Sequence, residues 1–295
     1  MRCSWATIGF LTVAQAACPL HAVQAPISAD QLVREVVYNE LNDHQAHGFW
    51  RYWIQRYTPS ETRVDEQVET AQGPIAEQSL TNGAPLGTQA RQREQARLQH
   101  LLSSPQEQAR GRQQYAEDED RVGRILTLLP NAFLYQFAGD ENGCHRLFFH
   151  PNPDYPARTI EARVFHGMSG TLWVDARYKR LVRLDGHVAE NVDLAYGILG
   201  RLNKGGWFQL QRTQVSPTEW KTQRLEIHLT GRALVKSFAN QTSELRGGFV
   251  PVPAGMNLAQ GVALLEQARV QTSLPKSSSS TRPMRMAPEQ LALQR

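Results

Sequence analysis

The sequence predicts an α+β protein built on a large antiparallel sheet of about eleven strands, enough to curl into a strongly curved sheet or barrel. Three observations carry this. From Pro130 onward a β pattern persists, broken mostly by Gly, Pro, Asn or Asp, as in a meander. Three more strand-like segments come earlier, before a long stretch with no β signal. Amphipathic helical patterns open and close the folded part. The 295 residues allow one large domain or two small ones, at roughly 100–200 residues per domain. With 41% apolar and 20% charged residues, a wholly disordered chain and a polytopic membrane protein are both excluded.

The chain begins with Met1-Arg2, an uncharged apolar run from Cys3 to Val13, and Ala14-Gln15-Ala16. That order reads as a secretory signal peptide, residues 1–25. A second cut, after Val23-Gln24-Ala25, precedes Pro26, and the choice between the two stays open. The run is shorter than the roughly 20 residues that span a bilayer. Removal past Cys18 leaves Cys144 as the single cysteine, so packing rather than a disulfide must hold the fold. A cut at Ala16 keeps Cys18, but Gln15 stands where a lipidation site carries an aliphatic residue.

A single domain is expected over residues 26–271. Its first helix, about residues 30–46, is capped by Ser28 or Asp30 and aligns Leu32, Val33, Val36, Val37 and Leu41 on one face. Strands follow at Phe49–Tyr57, Thr62–Thr70 and Ile75–Leu80, the last running into the turn Asn82-Gly83. Residues 88–129 form a helical insertion of two helices parted at Ser103-Ser104-Pro105, because proline starts a helix but does not sit inside one. The first of these helices buries Leu98, Leu101 and Leu102; the second is polar from Gln106 to Asp120 and no core helix.

The meander then runs through 133–137, 144–150, 160–165, 170–175, 181–192, 207–214, 220–229 and 234–244, and Met256–Val270 forms a closing helix. Residues 272–295, with Ser277-Ser278-Ser279-Ser280 and three prolines, have the composition of a disordered tail.

Catalytic and metal patterns fail on spacing. Gly167-Met168-Ser169-Gly170 does not match a nucleophile elbow and lies between expected strands. Cys144 and His145 are adjacent, so a strand points them to opposite faces, and with His150 they make no zinc site. Gly200 to Gly206 lacks the Gly-Lys-Ser/Thr ending of a phosphate loop and reads as a hairpin connection. Asp175, Asp185 and Glu226 stand singly. No catalytic residue, metal or cofactor is expected. A net charge of +4, from 27 arginines and five lysines against 28 acidic residues, does not mark a nucleic-acid partner. The mixed-sign helices of the insertion read as a solvated face.

The positive signal is apolar side chains on alternate strand positions, which share a face. They meet either in a packed core or in an interior left partly open as an acyl groove. Four segments add a resemblance: Phe49-Trp50-Arg51-Tyr52, Leu128-Leu129-Pro130-Asn131-Ala132-Phe133-Leu134-Tyr135, Pro151-Asn152-Pro153-Asp154 and Gly170-Thr171-Leu172-Trp173-Val174-Asp175. With the order of elements between Ser28 and Val270, they resemble uncharacterised members of the bacterial outer-membrane lipoprotein carrier and sorting superfamily. The resemblance implies an unclosed β-barrel whose concave face is covered by helices and holds the acyl chains of lipids or lipoproteins in the periplasm, with no catalytic residue. Carried onto this chain, the concave-face ligand residues are Trp50, Tyr52, Ile54, Tyr135, Phe137, Leu172, Val174, Leu225 and Ile227. The long polar insertion and the tail depart from the smaller carriers. The same fold serves envelope sensors, so the alternative is a module that docks an envelope protein partner through its charged helices.

Overall fold

The computed structural model describes residues 27–43, 48–194, 200–233 and 236–268. The leader with Cys18 and the tail from residue 272 lie outside them. Helix α1 (Ala29–Asp43) is capped by Ser28, whose hydroxyl accepts from the Gln31 amide at 3.1 Å. Strands β1 (Phe49–Tyr57), β2 (Thr62–Val68) and β3 (Ile75–Thr81) follow, and β3 turns into the two-residue β4 (Ala84–Pro85). Asn82 and Gly83 make that turn at φ +52° and +77°, the left-handed pair a tight hairpin requires.

Helices α2 (Thr88–Ser103) and α3 (Pro105–Ala132) fill the insertion. Ser104 accepts from the Glu107 amide, and Pro105 starts α3 as its ring geometry favours. The helix runs three residues past its expected end, taking Pro130 into its last turn.

Next come β5 (Phe133–Glu141) and β6 (Cys144–Pro151). Ile160–His166, expected as a strand, is instead helix α4. Thr159 caps it by accepting from the Ala162 amide at 3.1 Å, and Phe165 packs on Phe133 with ring centroids 5.2 Å apart. In seven residues the alternating and helical readings of Ala162, Val164 and Phe165 are hard to tell apart, and the cap decides.

The meander resumes in β7 (Met168–Asp175) and β8 (Leu181–Val188). The single strand expected over 181–192 breaks at Ala189, and β9 (Val192–Leu194) is separate. Gly200–Leu202, expected as part of a connection, is strand β10, leaving residues 203–206 as the turn. The last elements are β11 (Trp207–Gln214), β12 (Trp220–Ala233), β13 (Lys236–Val252) and α5 (Leu258–Ala268).

Among the described residues the strands form one sheet in the order β4-β3-β2-β1-β13-β12-β11-β8-β7-β6-β5, with β10 and β9 attached beside β12. All pairings are antiparallel, and β4 and β5 remain unpaired edges, so the curved sheet is open. Pairing of β1 with β13 ties the start of the domain to its end.

Cross-strand partners share a face. The pairs Phe137–Leu147, Leu147–Leu172, Leu172–Leu184, Leu184–Leu210, Leu210–Leu225, Leu225–Glu244 and Glu244–Arg56 trace one row along the inner, concave face. Helix α1 packs on that face over β5–β8, joining Leu32, Val33, Val36 and Val37 to Phe133, Leu147, Leu172 and Val174. Leu126 and Leu129 of α3 flank this core.

A second core forms on the other face of β1–β3. Val68 and Ile75 there meet Leu98 of α2 and Val262 and Leu265 of α5. At this end the sheet is covered on both sides, because β2 directs its valines outward and Arg63, Asp65 and Gln67 inward. Among the described residues no helix is long and apolar enough to cross a membrane.

Candidate functional site

On the inner face, over β1, β13 and the start of β12 and lined also by residues of α1 and α3, lies a cavity of about 350 Å³. Its wall begins with β1. Alternation turns Trp50, Tyr52 and Ile54 inward, all three buried. Opposite Tyr52, β13 carries a bulge in which Gly248 (φ +68°) takes up an extra residue and re-aims Phe249 inward, its ring 5.1 Å from that of Tyr52. Phe49, Trp220 and Tyr115 of α3 complete an aromatic lining.

The rest of the wall is charged. Glu40, at the end of α1 and 7% exposed, accepts from Arg180 through both carboxylate oxygens at 3.1 Å, from the Leu181 amide at 3.2 Å, and from Arg212. Arg180 also lies 5.5 Å over the Trp220 ring. Lys221 donates to both oxygens of Glu69 at 2.8 and 3.0 Å, and Glu69 takes the Trp50 amide as well. Glu219 accepts from the Gly48 amide at 2.7 Å, from Trp50 Nε1 at 3.3 Å and from the Ser216 hydroxyl at 3.2 Å. Beyond the cavity the network runs on through Arg246, Glu244, Arg56, Asp65 and Arg63.

These charges act on the phenols. Burial first, and the Glu69 carboxylate second, push the Tyr52 hydroxyl well above the usual phenol range. Burial, then Glu119 and Glu69, push Tyr115 up to about 12. Both are neutral hydrogen-bonding groups at physiological pH, and Tyr52 accepts from the Gln67 side chain. Cys144 lies on the far strands, half-buried; burial and the charges of Asp175 and Glu141 raise its thiol pKa, which makes it a poor nucleophile. Among the described residues no cluster of metal-ligating side chains occurs.

The nine residues named from the sequence are spread over four places. Tyr52 lines the cavity; Trp50 and Ile54 form the wall behind it. Leu172 and Val174 are sealed in the core beneath α1. Tyr135 is packed beside them, its hydroxyl donating to the Leu129 carbonyl at 2.8 Å. Phe137 is 41% exposed near the β5 edge, away from the cavity. Leu225 and Ile227 are half-buried on the inner face of β12, continuing from the cavity residues Arg212 and Thr222 toward Leu210 and Phe208.

Sequence reasoning missed the charged wall: Glu40, Glu69, Arg212, Glu219, Lys221 and Arg246. The available signal was charged or amide side chains at every second position, as in Arg63-x-Asp65-x-Gln67-x-Glu69 and Glu244-x-Arg246. Spacing of this kind places charges on one face but does not say that the face is inside.

Comparisons with protein-family models, with curated proteins and with solved structures find no match for this chain.

Proposed function

We propose that this protein is a non-enzymatic binding protein of the bacterial cell envelope, exported to the periplasm, that shields the acyl part of a lipid or lipoprotein on the inner face of an open half-barrel. The observation that carries the reading is the continuity of two unlike surfaces. A polar, aromatic cavity leads directly onto the half-buried apolar track Leu210, Leu225 and Ile227, beyond which Phe208 joins the core under α1. That is the shape of an amphiphile: a head group in the cavity and a chain along β11 and β12, where burying each methylene contributes about 0.8 kcal/mol. The apolar core under α1 is filled by protein side chains and offers no such room. The resemblance to the lipoprotein carrier superfamily fits this assignment.

The test is to express the full chain with its leader, purify it, extract bound lipid and analyse it by mass spectrometry, beside Leu225→Asp, which sets a carboxylate on the track. Lipid with the unaltered protein and none with the variant is expected. No extracted lipid, and no binding of a fluorescent fatty-acyl probe, overturns the reading.

A second reading rests on the first half of α3, where residues 109–114 and 116–118 are exposed and only Tyr115 of this stretch reaches the cavity. A helix so solvated suits a protein partner, and deleting residues 88–129 abolishes partner capture if that reading is right.

A further inference from the structure

The cavity is lined by four carboxylates, Glu40, Glu69, Glu119 and Glu219, and by three cations, Arg212, Lys221 and Arg246, with Arg180 beside them on Glu40. Each cation is already held by a carboxylate: Arg212 by Glu40, Lys221 by Glu69, and Arg246 by Glu244 at 2.7 Å. Glu219 is different. It is only 7% exposed, and among the described residues its side-chain hydrogen-bond partners are the Gly48 amide, the Trp50 indole and the Ser216 hydroxyl, all neutral. Three neutral donors satisfy its oxygens but leave a full negative charge largely withdrawn from water, a position that a counter-cation stabilises.

The surroundings of this charge are aromatic. Tyr52 and Phe249 face each other at 5.1 Å, and Trp220 and Tyr115 line the same space. Ring faces attract cations through their quadrupole, most strongly where water is excluded. An anionic ligand finds the opposite: its three candidate partners, Arg212, Lys221 and Arg246, are held by carboxylates, and the Glu219 carboxylate stands beside them.

We propose that the cavity is a binding site for an ammonium head group, seated between the Glu219 carboxylate and the aromatic rings and carried by an amphiphile whose apolar part follows Leu210 and Leu225. The assignment rests on the lipid-binding reading and narrows it to amphiphiles with a positively charged nitrogen. Free amines share that chemistry, so they form an arm of the test.

The experiment is a calorimetric titration of the full chain with dodecyltrimethylammonium, dodecyl phosphate and dodecyl maltoside, each below its micelle concentration, and with choline alone. Dodecyltrimethylammonium binds roughly tenfold or more tightly than the other two dodecyl compounds. Choline binds more weakly still, and Glu219→Gln, which keeps the size of the side chain and an acceptor for the Gly48 amide, removes the ammonium preference without weakening dodecyl maltoside.

Equal binding of the three dodecyl compounds, or a preference for the phosphate, overturns the head-group assignment and leaves the lipid reading standing. Choline binding as tightly as dodecyltrimethylammonium supports the ammonium site and overturns the lipid reading. Failure of all four ligands overturns both. A preference that persists in Glu219→Gln overturns the role of that residue. The ligand series on the unaltered chain decides the head-group question even if the variant does not fold.

Discussion

The two ends of the inner face solve the same problem, covering a curved sheet, in opposite ways. Over β5–β8 the sheet presents Leu147, Leu172 and Val174, and α1 fills the space with Leu32, Val33, Val36 and Val37, leaving nothing open. Over β1, β2 and β13 it presents Arg56, Arg63, Asp65, Glu244 and Arg246, cross-linked by ion pairs, and a cavity remains. Dispersion and the hydrophobic effect are non-directional, so an apolar face collapses until it is full. Ion pairs need fixed geometry and solvated flanks, so a charged face holds its shape without filling. The difference teaches that in this fold the room for a ligand lies at the charged end, while the apolar residues that suggest a groove in the sequence are largely spent on packing.

Glu40 joins the two ends, and breaking it has the largest expected effect. Glu40→Ala removes the buried carboxylate that Arg180 and Arg212 share. The expected loss in chemical denaturation is about 3–5 kcal/mol; a loss below about 1 kcal/mol shows that solvent already serves these cations. Leu147→Ala, at a fully buried site under α1, is expected to cost about 2–5 kcal/mol. A small cost there, with the core unchanged, contradicts the filled end of the comparison.

Gly248→Ala strains the bulge that aims Phe249 at Tyr52, because φ is +68° and the new methyl meets the Trp53 ring. A loss of about 1–2 kcal/mol is expected by thermal melting, with amphiphile binding reduced as well. Unchanged stability and binding show that the bulge is not needed to shape the cavity.

The smallest effect is a pH dependence. Burial opposes ionisation of Glu244, but hydrogen bonds and charge from Arg246 and Arg56 outweigh it and hold its pKa below the usual 4.5. A depressed folded-state pKa contributes stability that is fully present above 4.5 and is lost as pH falls through the folded value. Unfolding midpoints of the unaltered chain and Glu244→Gln should therefore differ at pH 7 and converge in acid. A gap that widens in acid gives the opposite sign and breaks the argument.

Much of the fold was legible. The strand boundaries of β1–β3, the Asn82-Gly83 turn and the break at Pro105 follow from local steric rules that hold wherever the segment sits. Helix α4 was misread because seven residues are too few to separate two periods, and β9 and β10 because three-residue strands exist only through their partners. Of the candidate site, Tyr52 was legible from alternation on β1. Glu219 was not, because its role comes from Gly48 and Trp50, 171 and 169 residues away in the chain.

By itself the sequence determined the class of the fold, an antiparallel sheet with helices at both ends and a helical insertion, since period, turn chemistry and capping are local properties. Only the tertiary structure decided that β1 pairs with β13, that a second core lies across the sheet from the first, and that the carboxylate of Glu219 ends up among aromatic rings away from water. Those outcomes depend on which distant segments meet, and the cost of a buried charge or the value of a buried ring is set by that meeting rather than by neighbours in the chain.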